Sequence, residues 1–276
     1  MNELQSQILN VYKKIKNICD ENNLRYYAIG GTCIGAVRHN GFIPWDDDMD
    51  IAMPRRDYEN LRDIIKNSEG HGLEVVTQDD RENYRPIFMK VCNPNTTYVE
   101  SDVMDIKDSI TGIFVDVMPL DGLPKEQLRR KILCNRLIYL HHMNDVRRLT
   151  GVRPGKGAKG LIKRMLYAVL LGRPFNYYSK RYTRLLKKYD FDESVYTSYG
   201  WSYHIKRLIF PSKWFNDYVE IKFEDTIMRC PVEYDKYLSQ QFGDYMKLPE
   251  KVEQQGNHDI YYWDANKPYR EYIGTM

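Results

Sequence analysis

Apolar positions recur along the chain with two different spacings, and the first spacing is helical. Between residues 3 and 22, apolar side chains return every three or four positions, which predicts an amphipathic helix. A second helical pattern spans 55–68, directly after Pro54, and proline favours the first turn of a helix. Short runs that alternate or are wholly apolar predict strands at 25–29, 49–53, 73–77, 86–92, 97–101 and 112–118.

The pattern becomes helical from residue 124 to about 188, with a Gly-, Pro- and Lys-rich interruption at 150–160. Short strands and helices mix again in the last third of the chain. Together these patterns predict an α/β or α+β sheet domain that is joined to a basic helical segment. We divide the chain into a core at 1–125, the basic helical segment at 126–190 and a C-terminal α/β part at 191–276, packed as one integrated domain.

Charge is distributed unevenly, although the formal net charge is only +3. Residues 129–188 contain 17 Lys or Arg and a single acid, Asp145. Such a block predicts an anionic partner: phospholipid headgroups, a pyrophosphate-linked lipid or nucleic acid. The alternative is a solvated helical face that keeps the protein soluble. We expect no nucleic acid, because no aromatic-basic binding motif or zinc finger accompanies the block.

The segment 159–174 combines basic residues with dense apolar positions, which fits either a core helix or a helix lying in a membrane interface. Its longest apolar run has eight residues, from Met165 to Gly172, whereas a spanning helix needs about 20. The polar N-terminus does not resemble a signal peptide. Five cysteines without a Cys-x-x-Cys pair favour a reducing compartment. We therefore expect a cytoplasmic protein with peripheral contact at the inner face of the membrane through 129–188.

The most concentrated group of candidate functional residues is an acidic run, with four aspartates in the five residues from Asp46 to Asp50. Like charges this close raise each other's pKa, so the run is costly unless a divalent cation lies between them. Residues i and i+2 of a strand share a face, so we expect Asp48 and Asp50 to point together while Met49 points to the core. Paired carboxylates suit Mg²⁺ or Mn²⁺. The alternatives are an acidic turn or a weak calcium loop.

A further acid, Asp116, lies in the apolar stretch GIFVDVMPLDG. An acid in so hydrophobic a strand needs a partner to tolerate burial. The metal predicted at Asp48 and Asp50 is one such partner, and an edge position with a local cation is the alternative.

Upstream of the acids, a predicted strand runs into Gly30, Gly31 and Thr32, followed by a short helix from Cys33 to His39. Glycines let backbone N–H groups approach a phosphate closely. Alone, such a turn is a weak indication. Because an Asp-x-Asp strand follows about sixteen residues later, the turn predicts a bound nucleotide di- or triphosphate beside metal-binding acids.

The same stretches resemble a known family. The signature of the LicD family is similar to residues 28–55, AIGGTCIGAVRHNGFIPWDDDMDIAMPR, and the similarity continues in FVDVMPLDG at 114–122 and in the tail at 223–262. The resemblance implies an α+β, nucleotidyltransferase-like fold, which is shared with fukutin-related proteins. This fold would have a mixed β-sheet core flanked by helices, with the basic helical segment as an insertion. It also implies transfer of a phosphorylated alcohol, such as phosphocholine or phosphoribitol, from a CDP-linked donor. The acceptor would be a hydroxyl of a cell-surface glycan, a lipid-linked glycan or a teichoic-acid precursor, and CMP would be released.

By this resemblance, three carboxylates bind Mg²⁺ or Mn²⁺ and carry catalysis: Asp48, Asp50 and Asp116. The matching glycine turn would bind the donor phosphates: Gly30, Gly31 and Thr32. We add two basic residues as candidate phosphate ligands, Arg38 and Lys90, although single basic residues are more often surface charges. The roles of three further residues in the matching motifs stay open: His39, Trp45 and His258.

A phosphocholine group would need an aromatic cage around its quaternary ammonium. Aromatic candidates for it are Trp45, Tyr84, Trp201, Tyr203, Tyr261, Tyr262 and Trp263, and packing in the core is the alternative for them. The sequence does not choose between choline and ribitol. A second enzyme hypothesis uses the same acids: a nucleotidyltransferase that joins a nucleoside triphosphate to a small molecule and releases pyrophosphate.

Overall fold

The computed structural model describes residues 1–68, 70–81, 84, 86–148, 173–174, 176–200, 205–254, 256 and 259–276. The predicted loop at 150–160, the apolar segment up to residue 172, Trp201, Tyr203 and His258 lie outside the described residues. The described α-helices are α1 (Glu3–Glu21), α2 (Gly30–Ile34), α3 (Arg55–Asn67), α4 (Gln127–Arg148), α5 (Tyr177–Leu186), α6 (Tyr234–Phe242) and α7 (Tyr269–Gly274).

The described strands are β1 (Tyr27–Ala28), β2 (Asp50–Pro54), β3 (Glu74–Val76), β4 (Met89–Cys92), β5 (Thr97–Glu100), β6 (Phe114–Leu123), β7 (Tyr196–Ser198), β8 (Phe210–Pro211), β9 (Tyr218–Phe223), β10 (Thr226–Pro231) and β11 (Ile260–Asp264). The main sheet has the order β1-β2-β6-β4-β3, with β7 paired to the end of β6 and β8 paired to β7. In this sheet β2 and β6 run parallel, and the other described pairs run antiparallel. The prediction of a mixed sheet flanked by helices is confirmed.

Strand β6 is the central strand of this sheet, between β2 and β4. All ten of its residues are buried, as its nearly continuous apolar sequence predicts for an interior strand. It is longer than the predicted strand at 112–118, because β7 pairs with its last three residues and extends the ladder to Leu123. The alternative of an edge position for Asp116 is therefore wrong.

Helix α1 forms where the apolar spacing predicts it. Asn2 accepts a hydrogen bond from the Gln5 backbone N–H, and the Gln5 side chain accepts one from the Asn2 N–H. This reciprocal capping box satisfies backbone donors at the start of the helix. The face that carries Ile8, Tyr12 and Ile15 is buried in the main core.

The apolar side chains form a large core and a smaller one. The large core joins α1, the main sheet and α6, so it contains residues of both the 1–125 and the 191–276 segments. The smaller core is formed mainly by α4 and α5 of the basic segment. The boundaries at 125 and 190 stay a prediction.

Most described residues of the basic segment lie in the helices α4 and α5. Among the helices of the described residues, none is both long enough and apolar enough to cross a membrane. Peripheral membrane contact through 129–188 stays a prediction.

A buried ion pair attaches the first turn of α3 to the end of β6. Arg55 donates from Nε to Asp121 Oδ1 at 2.8 Å and from Nη2 to Asp121 Oδ2 at 2.6 Å. The Asp121 side chain has no exposed surface. This two-point contact fixes the direction in which α3 leaves β2.

Candidate active site

The parallel pairing of β2 with β6 sets two aspartates side by side. Asp50 and Asp116 are register partners, and the Asp116 N–H donates to the Met49 carbonyl at 2.9 Å. Neighbouring strands lie about 4.8 Å apart, so these two carboxylates leave the sheet close together. Met49 and Ile51 are completely buried, as the predicted alternation requires.

Three further carboxylates precede β2 in a loop. One oxygen from each of Asp46, Asp47 and Asp48 lies within 4.8 Å of the others. Asp48 thus belongs to the loop, because the strand begins only at Asp50. Asp46 and Asp47 are oxygen donors that the predicted ligand set of Asp48, Asp50 and Asp116 does not include. We call all five side chains the carboxylate cluster.

The cluster strongly disfavours its own ionisation when no cation is bound. Burial, followed by the neighbouring Asp48 carboxyl, raises the pKa of Asp46 to about 8. Burial and the charges of Asp48 and Asp116 raise the pKa of Asp50 well above its ordinary value. Burial raises the pKa of Asp116 to about 7, although the nearby Lys90 ammonium opposes the shift.

The residues of the cluster fit a hard divalent cation. Asp116 Oδ1 is buried and accepts no hydrogen bond from the residues that the structure describes. Buried oxygens normally have a partner, so this atom is suited to a ligand. The donors are all carboxylate oxygens, the ligand type that Mg²⁺ and Mn²⁺ prefer.

Lys90 lies beside the cluster and not at the surface. It is the register partner of Asp116 on β4 and is only 4% exposed, so the surface-charge alternative is wrong. Its ammonium is 3.1 Å from Glu100 Oε1 and 3.5 Å from the centre of the Phe114 ring. Lys90 therefore supplies a fixed positive charge next to Asp116, and its contact with a phosphate stays a prediction.

The glycine turn packs directly against the carboxylates. Gly30 has φ +56°, a conformation that favours glycine, and its N–H donates to the Tyr237 hydroxyl at 2.8 Å. A Cβ atom on Gly31 would lie 2.8 Å from Asp46 Oδ2. The helix begins at Gly30, three residues earlier than predicted, because a bond from the Cys33 N–H to the Ile29 carbonyl closes its first turn.

Thr32 holds the start of β2. Its hydroxyl is buried and accepts a hydrogen bond from the Asp50 N–H at 2.8 Å. The predicted contact of Thr32 with phosphate is untested, but the hydroxyl already has this positioning role for Asp50.

Arg38 lines an open cleft of about 490 Å³ together with Trp45, Phe242 and Tyr245. Its guanidinium donates to the Tyr245 carbonyl at 2.6 Å and to His39 Nε2 at 2.9 Å. Burial and the charge of Arg38 lower the pKa of His39. Arg38 thus links the loop that contains Tyr245 to the π-helical turn Gly35–His39, which continues α2. Phosphate binding by Arg38 stays a prediction.

Two supports of the acidic loop come from distant parts of the sequence. Gln5 donates from Nε2 to the Asp46 carbonyl at 2.8 Å and to the Ile43 carbonyl at 3.2 Å. Gly256 packs so closely on Asp47 that an added Cβ would overlap its carboxylate. The capping pattern at Gln5 predicts its role in α1, but no local signal predicts these long-range contacts.

The predicted cage aromatics of the described residues occupy three separate places. Trp45 lines the cleft with Arg38, and Tyr84 is buried in the main core. Tyr261, Tyr262 and Trp263 lie on β11, where Tyr262 stacks on Tyr272 of α7 at 5.0 Å. The core alternative therefore holds for Tyr84.

Comparison with known proteins identifies relatives of this site. Residues 23–122 match the family model described as LicD/FKTN/FKRP, nucleotidyltransferase domain, and this range contains the glycine turn and the carboxylate cluster. The lipopolysaccharide cholinephosphotransferase LicD of Haemophilus influenzae is 27% identical over 265 residues, covering 94% of this chain and 96% of that protein. An uncharacterized protein of Rickettsia prowazekii is 39% identical over 70 residues, covering 24% of this chain and 26% of that protein. One from Rickettsia typhi is 32% identical over 74 residues, covering 26% of this chain and 24% of that protein.

Proposed function

Because the chain belongs to the LicD family, we propose that it is a transferase that moves phosphocholine from a CDP-linked donor to a hydroxyl group of a cell-surface or lipid-linked glycan, with release of CMP. The observation that carries this proposal is the register pairing of Asp50 with Asp116 beside the acidic loop and the glycine turn. The activity in the name of the Haemophilus relative supports phosphocholine as the transferred group and a lipopolysaccharide glycan as the acceptor class.

We assign Mg²⁺ or Mn²⁺ to Asp48, Asp50 and Asp116, with Asp46 and Asp47 as further oxygen donors in reach of the same ion or a second one. When bound, the cation neutralises charge on the donor diphosphate and lowers the pKa of the acceptor hydroxyl.

The other residues of the site have separate roles in the transfer reaction. Asp116 accepts the proton of the attacking hydroxyl while the new oxygen–phosphorus bond forms and the bond to CMP breaks, and its buried Oδ1 is left to the cation. Lys90 keeps a positive charge next to Asp116 throughout. Because Gly30 and Gly31 carry no side chain, their backbone lies directly against the Asp50 and Asp46 carboxylates, and the donor phosphates bind at this turn. Phosphoryl transfer depends mainly on such positioning and charge neutralisation.

The proposed activity is tested by CMP release. The purified protein is supplied with Mg²⁺, a glycan acceptor and one donor at a time: CDP-choline, CDP-ribitol or CDP-glycerol. We expect acceptor-dependent CMP release with CDP-choline and little with the other two. Release of pyrophosphate from CTP and phosphocholine, without CMP release from any CDP-alcohol, would establish the nucleotidyltransferase alternative instead.

Gly31→Ala should lower the transfer rate by about tenfold to a hundredfold, because a misplacement of about 1 Å in a reacting site costs rates of this order. The added methyl group would press on the Asp46 carboxylate and displace it. Since that carboxylate is the end of a side chain, we expect the melting temperature to change little. The matched control is Gly274→Ala, where an added Cβ meets no atom within 4 Å. An unchanged rate in Gly31→Ala would show that the turn does not set the geometry of the cluster.

Stabilisation by Mg²⁺ should grow as the pH rises from about 5.5 to about 8.5. The pKa values of Asp46 and Asp116 are raised to about 8 and about 7, so the metal-free folded protein binds more protons than the unfolded chain between about pH 4 and pH 8. Its free energy of unfolding therefore falls as the pH rises through this range. Mg²⁺ binds the ionised carboxylates and should restore about 2.7 kcal/mol at a concentration about 100 times its Kd.

Melting curves with EDTA or MgCl₂ at several pH values measure this effect. Asp48→Asn should lose the response to Mg²⁺, whereas Asp105→Asn, a change at an exposed residue outside the cluster, should keep it. A response to Mg²⁺ that is equal at both ends of the pH range would contradict the assignment of the metal to these carboxylates.

A further inference from the structure

A second pocket lies between α3 and α5, outside the carboxylate cluster. Its volume is about 380 Å³, and the chain around 77–79 and 87–88 completes its wall. Pockets of this size are typical of small-molecule sites. The lining residues that the structure describes take no part in the proposed transfer reaction.

The lining of this pocket is strongly basic. Five of its side chains are cationic: Arg55, Arg62, Lys180, Arg184 and Lys187. Among the described residues of the lining, two are acidic, Glu59 and Asp79. A concave surface with this excess of one charge concentrates oppositely charged ligands.

Within the described part of the chain, the five cations differ in whether an acidic side chain balances their charge. Three have acidic partners: Arg55 with Asp121, Arg62 with Asp63 and Lys187 with Glu59. Lys180 and Arg184 lie one turn apart on α5, and neither forms an ion pair with any residue in the described ranges. Thr183 lines the pocket between them and adds a hydroxyl group. Two neighbouring cations with a hydroxyl donor match the oxygens of one phosphate.

Part of the wall is apolar, although α3 also contributes Arg55, Glu59 and Arg62 to the lining. Tyr58 of α3 and Phe88 are buried side chains of this wall, and Ile87 is partly buried next to them. A free inorganic anion would gain nothing from such a surface, whereas an organic group attached to a phosphate would bury apolar area against it. The chemistry of the pocket therefore favours an organic phosphate.

The pocket is also distant from the proposed reaction centre. Arg55 in its wall is bound to Asp121, which lies five residues after Asp116 on β6. That spacing corresponds to roughly 16 Å along a strand. Because the number is odd, the Asp116 and Asp121 side chains leave opposite faces of the sheet. An anion in this pocket would be a different group from a diphosphate at the carboxylate cluster.

We propose that the pocket between α3 and α5 binds the phosphate or pyrophosphate group of an organic phosphate through Lys180 and Arg184. The organic part lies against Tyr58, Ile87 and Phe88. A soluble phosphorylated compound and the headgroup of an anionic lipid share this chemistry. The inference is independent of the transfer reaction, because it rests on charge and shape at another face of the sheet.

The first test measures binding of inorganic pyrophosphate to the full-length protein in EDTA by calorimetry. Without a divalent cation, the negative carboxylate cluster repels the probe, so binding reports on other sites. Lys180→Glu combined with Arg184→Glu should weaken binding at least about tenfold. The matched control, Arg181→Glu combined with Lys188→Glu, changes the net charge equally at positions outside the pocket lining and should keep the wild-type affinity.

A second arm uses sedimentation with phosphatidylcholine vesicles that contain or lack phosphatidylglycerol. Vesicle binding that needs phosphatidylglycerol, disappears in the pocket variant and persists in the control identifies a lipid headgroup as the ligand. Pyrophosphate binding with the same pattern but without vesicle binding identifies a soluble phosphate. The inference is overturned if neither probe binds the wild type, or if both double variants lose binding equally. If the glutamate variant does not fold, Lys180→Gln with Arg184→Gln serves the same comparison.

Discussion

Asp50→Asn should reduce the proposed transfer of phosphocholine by at least roughly a thousandfold, a loss of about 4 kcal/mol of transition-state stabilisation. Asparagine has the shape of aspartate but lacks the negative charge that a divalent cation requires. Asp50 is the register partner of Asp116 in the sheet, so the strand pairing fixes its position. Another aspartate cannot take its place as a ligand. The measurement is the rate of CMP release from CDP-choline in the presence of a glycan acceptor.

The fold should survive this substitution. The raised pKa of Asp50 reflects burial and the repulsion of Asp48 and Asp116, and both costs disappear with the neutral side chain. The melting temperature in EDTA should therefore equal or exceed that of the wild type. If the melting temperature of Asp50→Asn were lower than that of the wild type, unfolding could explain its loss of activity. Asp116→Asn therefore provides an independent second measurement.

The carboxylates should act as a unit. Residues that hold the same cation lose nearly everything with the first substitution, and further substitutions add little. The double variant Asp50→Asn with Asp116→Asn should therefore be about as slow as either single variant. Asp105→Asn, outside the cluster, should transfer at the wild-type rate. Activity above a tenth of the wild-type rate in Asp50→Asn would exclude this aspartate as a metal ligand.

The central helix and strand of the fold can be predicted from the sequence because each depends on a local pattern of apolar residues. The spacing of Ile8, Tyr12 and Ile15 predicts α1, and the apolar stretch around Asp116 predicts a fully buried strand. Glycine at positions 30 and 31 also indicates a turn, and the structure has one, with φ +56° at Gly30. The start of α2 was predicted three residues late, because local propensity disfavours glycine in a helix and the tertiary contacts of this turn override it.

The aspartates of the carboxylate cluster can also be identified from the sequence, but the residues that contact them cannot. An Asp-x-Asp pattern before an apolar strand indicates a cation site, whereas the partners that hold it are far away along the chain. Gln5 reaches the Asp46 carbonyl across 41 positions, and Tyr237 reaches Gly30 across 207. From the sequence, Lys90 is a candidate phosphate ligand with a surface charge as the alternative, and only the pairing of β4 with β6 places it next to Asp116. Such contacts depend on topology, which local patterns do not encode.

The ion pair between Arg55 and Asp121 is a further feature that depends on topology, and it leads to the largest expected effect on stability. Asp121→Asn should lower the free energy of unfolding by about 3 to 5 kcal/mol. The guanidinium of Arg55 would remain in a mostly buried position without its counter-charge, while two hydrogen bonds of 2.6 and 2.8 Å would be weakened. Urea denaturation measures the change, provided that the slope of the transition is unaffected.

A matched surface pair separates burial from charge in this prediction. Lys13 and Asp225 also form a salt bridge, at 2.7 Å, but the Asp225 side chain is 67% exposed. Asp225→Asn should therefore cost far less stability than Asp121→Asn, because exposed ion pairs contribute little. If the cost arises from the stranded Arg55 charge, replacing both partners, Arg55→Met with Asp121→Leu, should recover much of the stability lost in Asp121→Asn. A double variant as unstable as Asp121→Asn would show instead that the two-point geometry itself holds α3 against β6.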